Sequence, residues 1–224
     1  MRKPGVFIGA AGMALLLASC ATAPPPARTW DGLELYPQKK FDAVYVKPGA
    51  SLARYTEIML DPLEVSFDRN WDPNAGSVAF RRVDTDRIRQ VLAAEFRKVF
   101  TETLAADGKY RIVAESGPDT LHITPRIVDL YINAPGTSLT TAGIVRTYTV
   151  DPGRMTLAAE FRDGDSGTLL ARVVDRREGM DHGEFRITNA VTNLADARRV
   201  MTQWAKAIRE GLDAARALAG AAAH

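Results

Sequence analysis

"RMTLAAEFRDGDSGTLLARVVDRR", Arg154 to Arg177, is the stretch on which the fold turns. Met155, Leu157, Ala159 and Phe161 alternate with more polar neighbours, which is the period of a strand with one buried face. "DGDSG", Asp163 to Gly167, supplies the turn, with Gly164 and Gly167 expected at positive φ, and "TLLARVVDRR" resumes as a second strand. The pair reads as an antiparallel hairpin. Two strands alone do not hold together in water, so its apolar face must be covered by other parts of the chain.

Working outward, "TLHITPRIVDLYI" (Thr120 to Ile132) and "YRIVAE" (Tyr110 to Glu115) are further strands. In the longer one the apolar parity flips between Ile123 and Val128, which predicts a bulge or bend near Pro125. "YTEIMLDPLEVSF" (Tyr55 to Phe67) is strand-like with a change of face at Pro62: Ile58 and Leu60 share one face, then Leu63, Val65 and Phe67 take up the alternation.

Two stretches have helical spacing instead. From Asp84, a suitable N-cap, the set Ile88, Val91, Leu92, Phe96, Val99, Phe100 and Leu104 recurs at three and four residues, and Gly108 stops it. Near the C-terminus Asn193 is the expected cap of a helix with Val200, Met201, Trp204, Ile208, Leu212 and Ala215 on one stripe, ending in "ALAGAAAH". Grouped strands with two amphipathic helices predict an α+β two-layer sandwich, a mostly antiparallel sheet with both helices packed on one face, as a single domain over residues 55–219.

The N-terminus has another character. Arg2 and Lys3 precede an apolar run from Val6 to Leu17 that is too short for a membrane span and of the length of a secretory signal. Leu17-Ala18-Ser19-Cys20 resembles the lipobox of bacterial lipoproteins. That resemblance implies cleavage before Cys20 by the signal peptidase that reads Leu17, Ala18 and Ser19, a diacylglyceryl thioether on the sulfur, and a further acyl chain such as palmitate on the new amino group. Ala21 after the cysteine implies sorting to the outer membrane, facing the periplasm. Residues 1–19 are then the signal peptide and 20–29, with three consecutive prolines, a semi-rigid tether. Residues 30–54 read as an ordered leader wrapping the domain, with Trp30, Tyr36, Phe41 and Tyr45 as packing residues.

The chain has 29 Lys and Arg against 27 Asp and Glu. Arg2 and Lys3 leave with the signal segment, so the remaining charge is balanced and no nucleic-acid partner is expected. Cys20 is the only cysteine, which excludes an internal disulfide.

The lipobox, "DPLEVSF", "GPDTLHITPRIVDL", the hairpin "AAEFRDGDSGTLLARVVD" and the C-terminal helix around Trp204 together resemble a family of bacterial lipoproteins catalogued as domain of unknown function family 3313. The resemblance spans about Tyr55 to Leu212 and brings no catalytic residues with it.

Several clusters contain residue types that could carry chemistry. Asp181, His182 and Glu184 are too close in sequence to converge on a metal, and no metal ion or cofactor is expected. "DGDSG" lacks the spacing and closing glutamate of a calcium loop. Asp61, Glu64 and Asp68 are acids on one strand, whereas glycoside hydrolysis needs two that face each other. No nucleophile elbow or phosphate loop occurs. The segment Asn133 to Gly153 is unusually long for a connection, and its Ile144, Val145 and Tyr148 are candidates for a partner-binding loop. The expectation is a non-enzymatic lipoprotein, attached to the membrane through Cys20 and serving as an interaction or accessory module of an envelope complex. The alternatives are a carrier of small apolar or lipid ligands, with a cavity lined by Phe96, Phe100, Leu157 and Phe161, and an uncharacterised enzyme. The sequence does not set the oligomeric state.

Overall fold

Period-two stretches become strands and period-3.6 stretches become helices in the computed structural model, which describes residues 24–72, 84–132, 147–149, 153–178, 186–188 and 190–222. In chain order the elements are β1 (Glu34–Leu35), β2 (Ala43–Val46), β3 (Glu57–Leu60), β4 (Glu64–Phe67), α1 (Thr85–Leu104), β5 (Arg111–Val113) and β6 (Thr120–Tyr131). They continue as β7 (Thr147–Thr149), β8 (Arg154–Asp163), β9 (Leu169–Glu178), β10 (Arg186–Thr188) and α2 (Ala190–Ala222).

Eight strands form one sheet in the order β1-β2-β9-β8-β6-β3-β5, with β4 also paired to β6. The β8–β9 hairpin lies inside it, and β6 joins β8 antiparallel. The pairs β3–β5, β3–β6 and β4–β6 are parallel. Parallel neighbours need a crossover, and α1 lies in the one that leads from β3 and β4 to β5, which pairs with β3. Asp61-Pro62-Leu63 interrupts a single line of chain, so β3 and β4 lie end to end along β6. Arginines of α1 close the break: Arg97 donates to the Leu60 carbonyl and Arg89 to the Val65 carbonyl, each at 3.3 Å.

The bulge expected near Pro125 lies elsewhere. Leu121, Ile123, Pro125 and Ile127 keep one parity and are all buried. The register against β8 shifts between Val128 and Tyr131, where Asp129 adopts φ 53°. Pro125 instead falls, by register, opposite the β3–β4 break, where a residue with no amide hydrogen leaves no ladder bond unmade.

One core cluster joins the inward faces of β3, β6, β8 and β9 to both helices. Phe96 and Phe100 of α1 stack with centroids 3.8 Å apart, and Met201, Trp204 and Ile208 come from α2. Burying each such side chain contributes about 1.5–3 kcal/mol. Val91, expected on the α1 stripe, is 40 % exposed, because it lies at the rim of the face defined by Leu92, Phe96 and Phe100. Asp84 caps α1 as expected, accepting from the Arg87 amide at 2.9 Å, and Gly108 turns the chain at φ 71° just beyond the end. α2 starts at Ala190, directly after β10, so Asn193 lies within the helix and does not cap it.

The leader enters the sheet. β2 pairs with β9 and β1 with β2, while Leu33, Ala43 and Tyr45 build a second small cluster with Leu35, Leu169 and Val174 on the face away from the helices. Tyr45 and Phe41 pack as expected. Trp30 and Tyr36 do not: they are 93 % and 51 % exposed.

Candidate functional site

The residues singled out in the sequence divide into those the fold consumes and those it leaves at one end of the sheet. Asp61, Glu64 and Asp68 fall on or beside the interrupted edge, and each has its own partner. Asp61 accepts from the Thr124 hydroxyl at 2.8 Å, Glu64 from Arg126 at 2.9 Å and Asp68 from Arg154 at 2.7 Å. His122 joins Asp61, its Nε2 lying 2.8 Å from Oδ1. That buried nitrogen is poorly aligned for a hydrogen bond, so the contact is a close approach and not a made bond. Alternation along β6 puts His122 and Thr124 on one face, but Asp61 comes from a different strand line, which single-sequence spacing does not reveal.

"DGDSG" works as a structural turn. Asp163, 5 % exposed, accepts from the Tyr55 hydroxyl at 2.6 Å, from the Ser166 amide at 2.7 Å and hydroxyl at 2.8 Å, and from Arg54. Gly167 has the expected positive φ of 67°, whereas Gly164 is required for a different reason. A Cβ on Gly164 would lie 2.6 Å from Ser116 Oγ, 2.7 Å from the Thr120 carbonyl oxygen and 2.9 Å from that of Gly117. The hairpin tip is thus docked on the β5–β6 connection, with the Gly164 amide donating to Thr120 at 2.9 Å.

Asp175 was overlooked in the sequence, although the alternation Ala171, Val173, Asp175 places it on the apolar face of β9. It is 1 % exposed and accepts from the Trp204 indole at 2.7 Å, from Arg177 at 2.5 Å and from the Asp42 amide at 3.0 Å. One carboxylate therefore ties the sheet, α2 and the leader together.

Phe96, Phe100, Leu157 and Phe161 are between 0 and 3 % exposed and pack in the core, so the cavity required of them by the carrier reading is filled by the chain itself. A shallow open cleft lies instead beside β5, lined by Glu57 and by Val113, Ala114, Glu115, Ser116 and Gly117. Among the described residues no group of His, Cys, Asp or Glu is placed to hold a metal ion. Asp181, His182 and Glu184 lie outside the described residues, as do His224, Cys20 and the residues before it, Leu17, Ala18 and Ser19. No helix among the described residues is long and apolar enough to cross a membrane.

The remaining candidate is the end of the sheet where β4 and β6 finish. Register places Tyr131 of β6 opposite Arg154 of β8, and Arg154 opposite Glu178 of β9. Phe67 of β4 is opposite Leu130. The long connections after β4, β6 and β9 all leave from this end. Their roots are braced: Arg154 lies over the Tyr131 ring at 4.5 Å, Phe67 stacks on Trp71 at 4.5 Å, and the Trp71 indole donates to the Ile132 carbonyl at 2.8 Å. From the long segment, Ile144 and Val145 lie outside the described residues, while Tyr148 belongs to β7, which pairs with β10 in a separate two-stranded sheet. Tyr148 is opposite Ile187. Two connections that are distant in sequence thus pair with each other in this second sheet.

A family model described as "Protein of unknown function (DUF3313)" matches residues 30–208. The chain belongs to this family. No curated protein matches it. Among solved structures it is similar to the PelC dodecamer from Paraburkholderia phytofirmans, at 13 % identity over 71 % of this chain and 96 % of that one, with a TM-score of 0.33. It is also similar to protein XCC0632 from Xanthomonas campestris, at 11 % identity over 73 % and 86 % of the two chains and a TM-score of 0.35. Protein CT253 from Chlamydia trachomatis matches at 8 % identity over 70 % and 98 %, also with a TM-score of 0.35. Scores this low do not establish a common fold, and the dodecameric state is a property of PelC. The DUF3313 match begins at Trp30, so it takes in the leader that β1 and β2 weave into the sheet.

The ion pairs predict how stability responds to pH. Arg172, Arg111, Arg154 and Arg198 hold Asp31, Glu57, Asp68 and Glu95 below the usual carboxylate range. The Tyr55 hydroxyl and then Ser166 hold Asp163 far below it. Groups lowered on folding stabilise fully above their unfolded values, near 4, and lose that contribution as pH falls through the folded ones. Tyr110 has the opposite sign: burial and then Asp213 push its hydroxyl up to about 12, so its contribution is complete below about 10 and lost as pH rises toward 12. Urea midpoints are expected to be flat from about pH 5 to 9 and to fall on both sides. A midpoint unchanged at pH 3 would contradict the acid limb.

Proposed function

We propose that this DUF3313 protein is a lipid-anchored lipoprotein of the bacterial outer membrane, acylated at Cys20, facing the periplasm and working without catalysis as an interaction module of an envelope complex. Its fold is read as a two-layer sandwich with both helices on one face. The observation that carries the interaction reading is the pairing of β7 with β10, by which two separate connections form a two-stranded element apart from the main sheet's ladder. The acids that could suggest catalysis favour the same reading, because Asp61, Glu64, Asp68, Asp163 and Asp175 are all engaged in fixed contacts. The anchor reading rests on the Leu17–Cys20 motif and on the shortness of the link. Ala27 already accepts a hydrogen bond from Leu35, so seven residue steps separate Cys20 from the folded chain, about 25 Å at full extension.

The test is photo-crosslinking in cells from a benzophenone amino acid at Tyr148, with Cys20→Ala as the comparison. The native chain is expected to carry acyl mass, to fractionate with the outer membrane and to give a discrete crosslinked protein. Cys20→Ala is expected to lose the acyl mass and the membrane fractionation. An unmodified Cys20 would refute the anchor, and an acylated protein with no crosslinked species would refute the β7–β10 pair as a docking element.

A further inference from the structure

We propose that the turn Thr29–Leu33 is a membrane-contacting foot that seats the Trp30 indole among phospholipid headgroups. This surface rests on the anchor reading above and adds a second contact with the same bilayer.

The turn is rigid. The Thr29 amide donates to the Leu33 carbonyl at 2.9 Å, the Leu33 amide to Thr29 Oγ1 at 3.0 Å, and the Gly32 amide to the Thr29 carbonyl at 3.1 Å. Gly32 takes the φ of 85° that closes the loop. Two roots fasten it to the sheet: Leu33 is 1 % exposed in the second cluster, and Asp31 is bound by Arg172 at 2.6 Å. Between these roots Trp30 is held out at 93 % exposure. A lone apolar side chain on a surface needs no explanation. A tryptophan presented on a turn with every part fixed, instead of folding back on the sheet, does.

The chain itself indicates what the indole meets. Trp30 follows Cys20 by ten residues, which span at most about 35 Å, so acyl chains on Cys20 hold this turn permanently near the headgroups. Tryptophan is the residue that favours that region, with an apolar ring and one N–H to donate. Exposed Arg28, bridged through its backbone to Glu34, and exposed Lys47, next to the Val46 that lies opposite Glu34, flank the turn and can reach phosphate groups. Glu34 is the exposed acid beside them, and the carboxylate of Asp31 is already matched by Arg172.

The experiment uses full-length protein extracted from membranes, with acylation verified by intact mass, in vesicles of phosphatidylethanolamine and phosphatidylglycerol with or without brominated acyl chains. Trp71 and Trp204 are 9 % and 0 % exposed, so surface quenching reports Trp30. Brominated lipid is expected to quench part of the native emission, and that quenching is expected to vanish in Trp30→Phe, which alters no packed residue. Iodide added outside is expected to lose access to Trp30 once the protein is bound to vesicles. Acylated, vesicle-bound protein with no bromolipid quenching and undiminished iodide access would overturn the foot and leave the anchor standing. Loss of iodide access without bromolipid quenching would also overturn it, assigning Trp30 to a protein contact such as a second copy. An unacylated Cys20 would overturn both.

Discussion

Asp175→Ala is expected to lower the unfolding free energy by about 2–5 kcal/mol, because it strands one buried donor, the Trp204 indole, takes the acceptor from the partly exposed Asp42 amide, and removes one partner of Arg177, whose other is the Lys40 carbonyl. Each unsatisfied buried group costs about 1–3 kcal/mol, and Asp175 is almost wholly enclosed. Trp204→Phe keeps most of the ring packing and loses the indole donor, so a smaller loss, about 1–3 kcal/mol, is expected. Since both changes break the same bond, the double variant is expected to lose less than the sum. Urea titrations of the four proteins, followed by circular dichroism, measure this. Additive losses, or an Asp175→Ala loss under about 1 kcal/mol, would show that the carboxylate is not the tie between sheet, helix and leader.

Gly164→Ala is expected to cost about 2–4 kcal/mol, more than Gly167→Ala, although Gly167 is the one at positive φ. At Gly167 a new methyl meets open space, and the strain is the 1–2 kcal/mol or so of a left-handed residue. At Gly164 it would run into the carbonyl oxygens of Thr120, the first residue of β6, and of Gly117, which accepts from the Thr120 amide. The turn would have to lift, releasing both the Gly164 amide and the Ser116 hydroxyl bound to the Gly164 carbonyl. Thermal unfolding of the two variants side by side decides the order. A larger shift for Gly167→Ala would mean that the tip is not docked as described.

These two residues also mark how far the sequence could be read. β8 and β9 were legible because one face is buried and the side-chain period is two. The same alternation, continued past Phe161 and Val173, falls on Asp163 and Asp175, both buried in the structure. α1 was legible because capping is local. The displaced bulge has a simple cause: Ile127 and Val128 are both apolar, so the sequence does not say which one keeps the parity, and an Asp that tolerates positive φ carries no strong signal. The parallel pairs depend on a crossover, the β7–β10 pair on residues nearly forty apart, and the Asp61–His122 approach on strands not adjacent in sequence. At the candidate site Tyr148 was marked by the length of its connection, whereas Tyr131, Arg154 and Trp71 carried no comparable sign, because the Arg154–Tyr131 cation–π contact and the Trp71–Ile132 hydrogen bond join residues far apart in sequence. Trp30 was misread for another reason: composition cannot distinguish an aromatic that packs from one that a turn holds outward.

The way the leader enters the sheet sets the mechanical behaviour of the molecule. A pull applied at the N-terminal end is taken first by the Ala27–Leu35 hydrogen bond, then by the Thr29–Leu33 turn with its Asp31–Arg172 clasp, and only afterwards by the Leu33 plug and the two residues of β1. Those links are few and lie at the margin, while the long β6–β8–β9 ladders and the helices carry no load until the plug yields. The leader is therefore expected to act as a mechanical fuse, peeling away under force before the core gives.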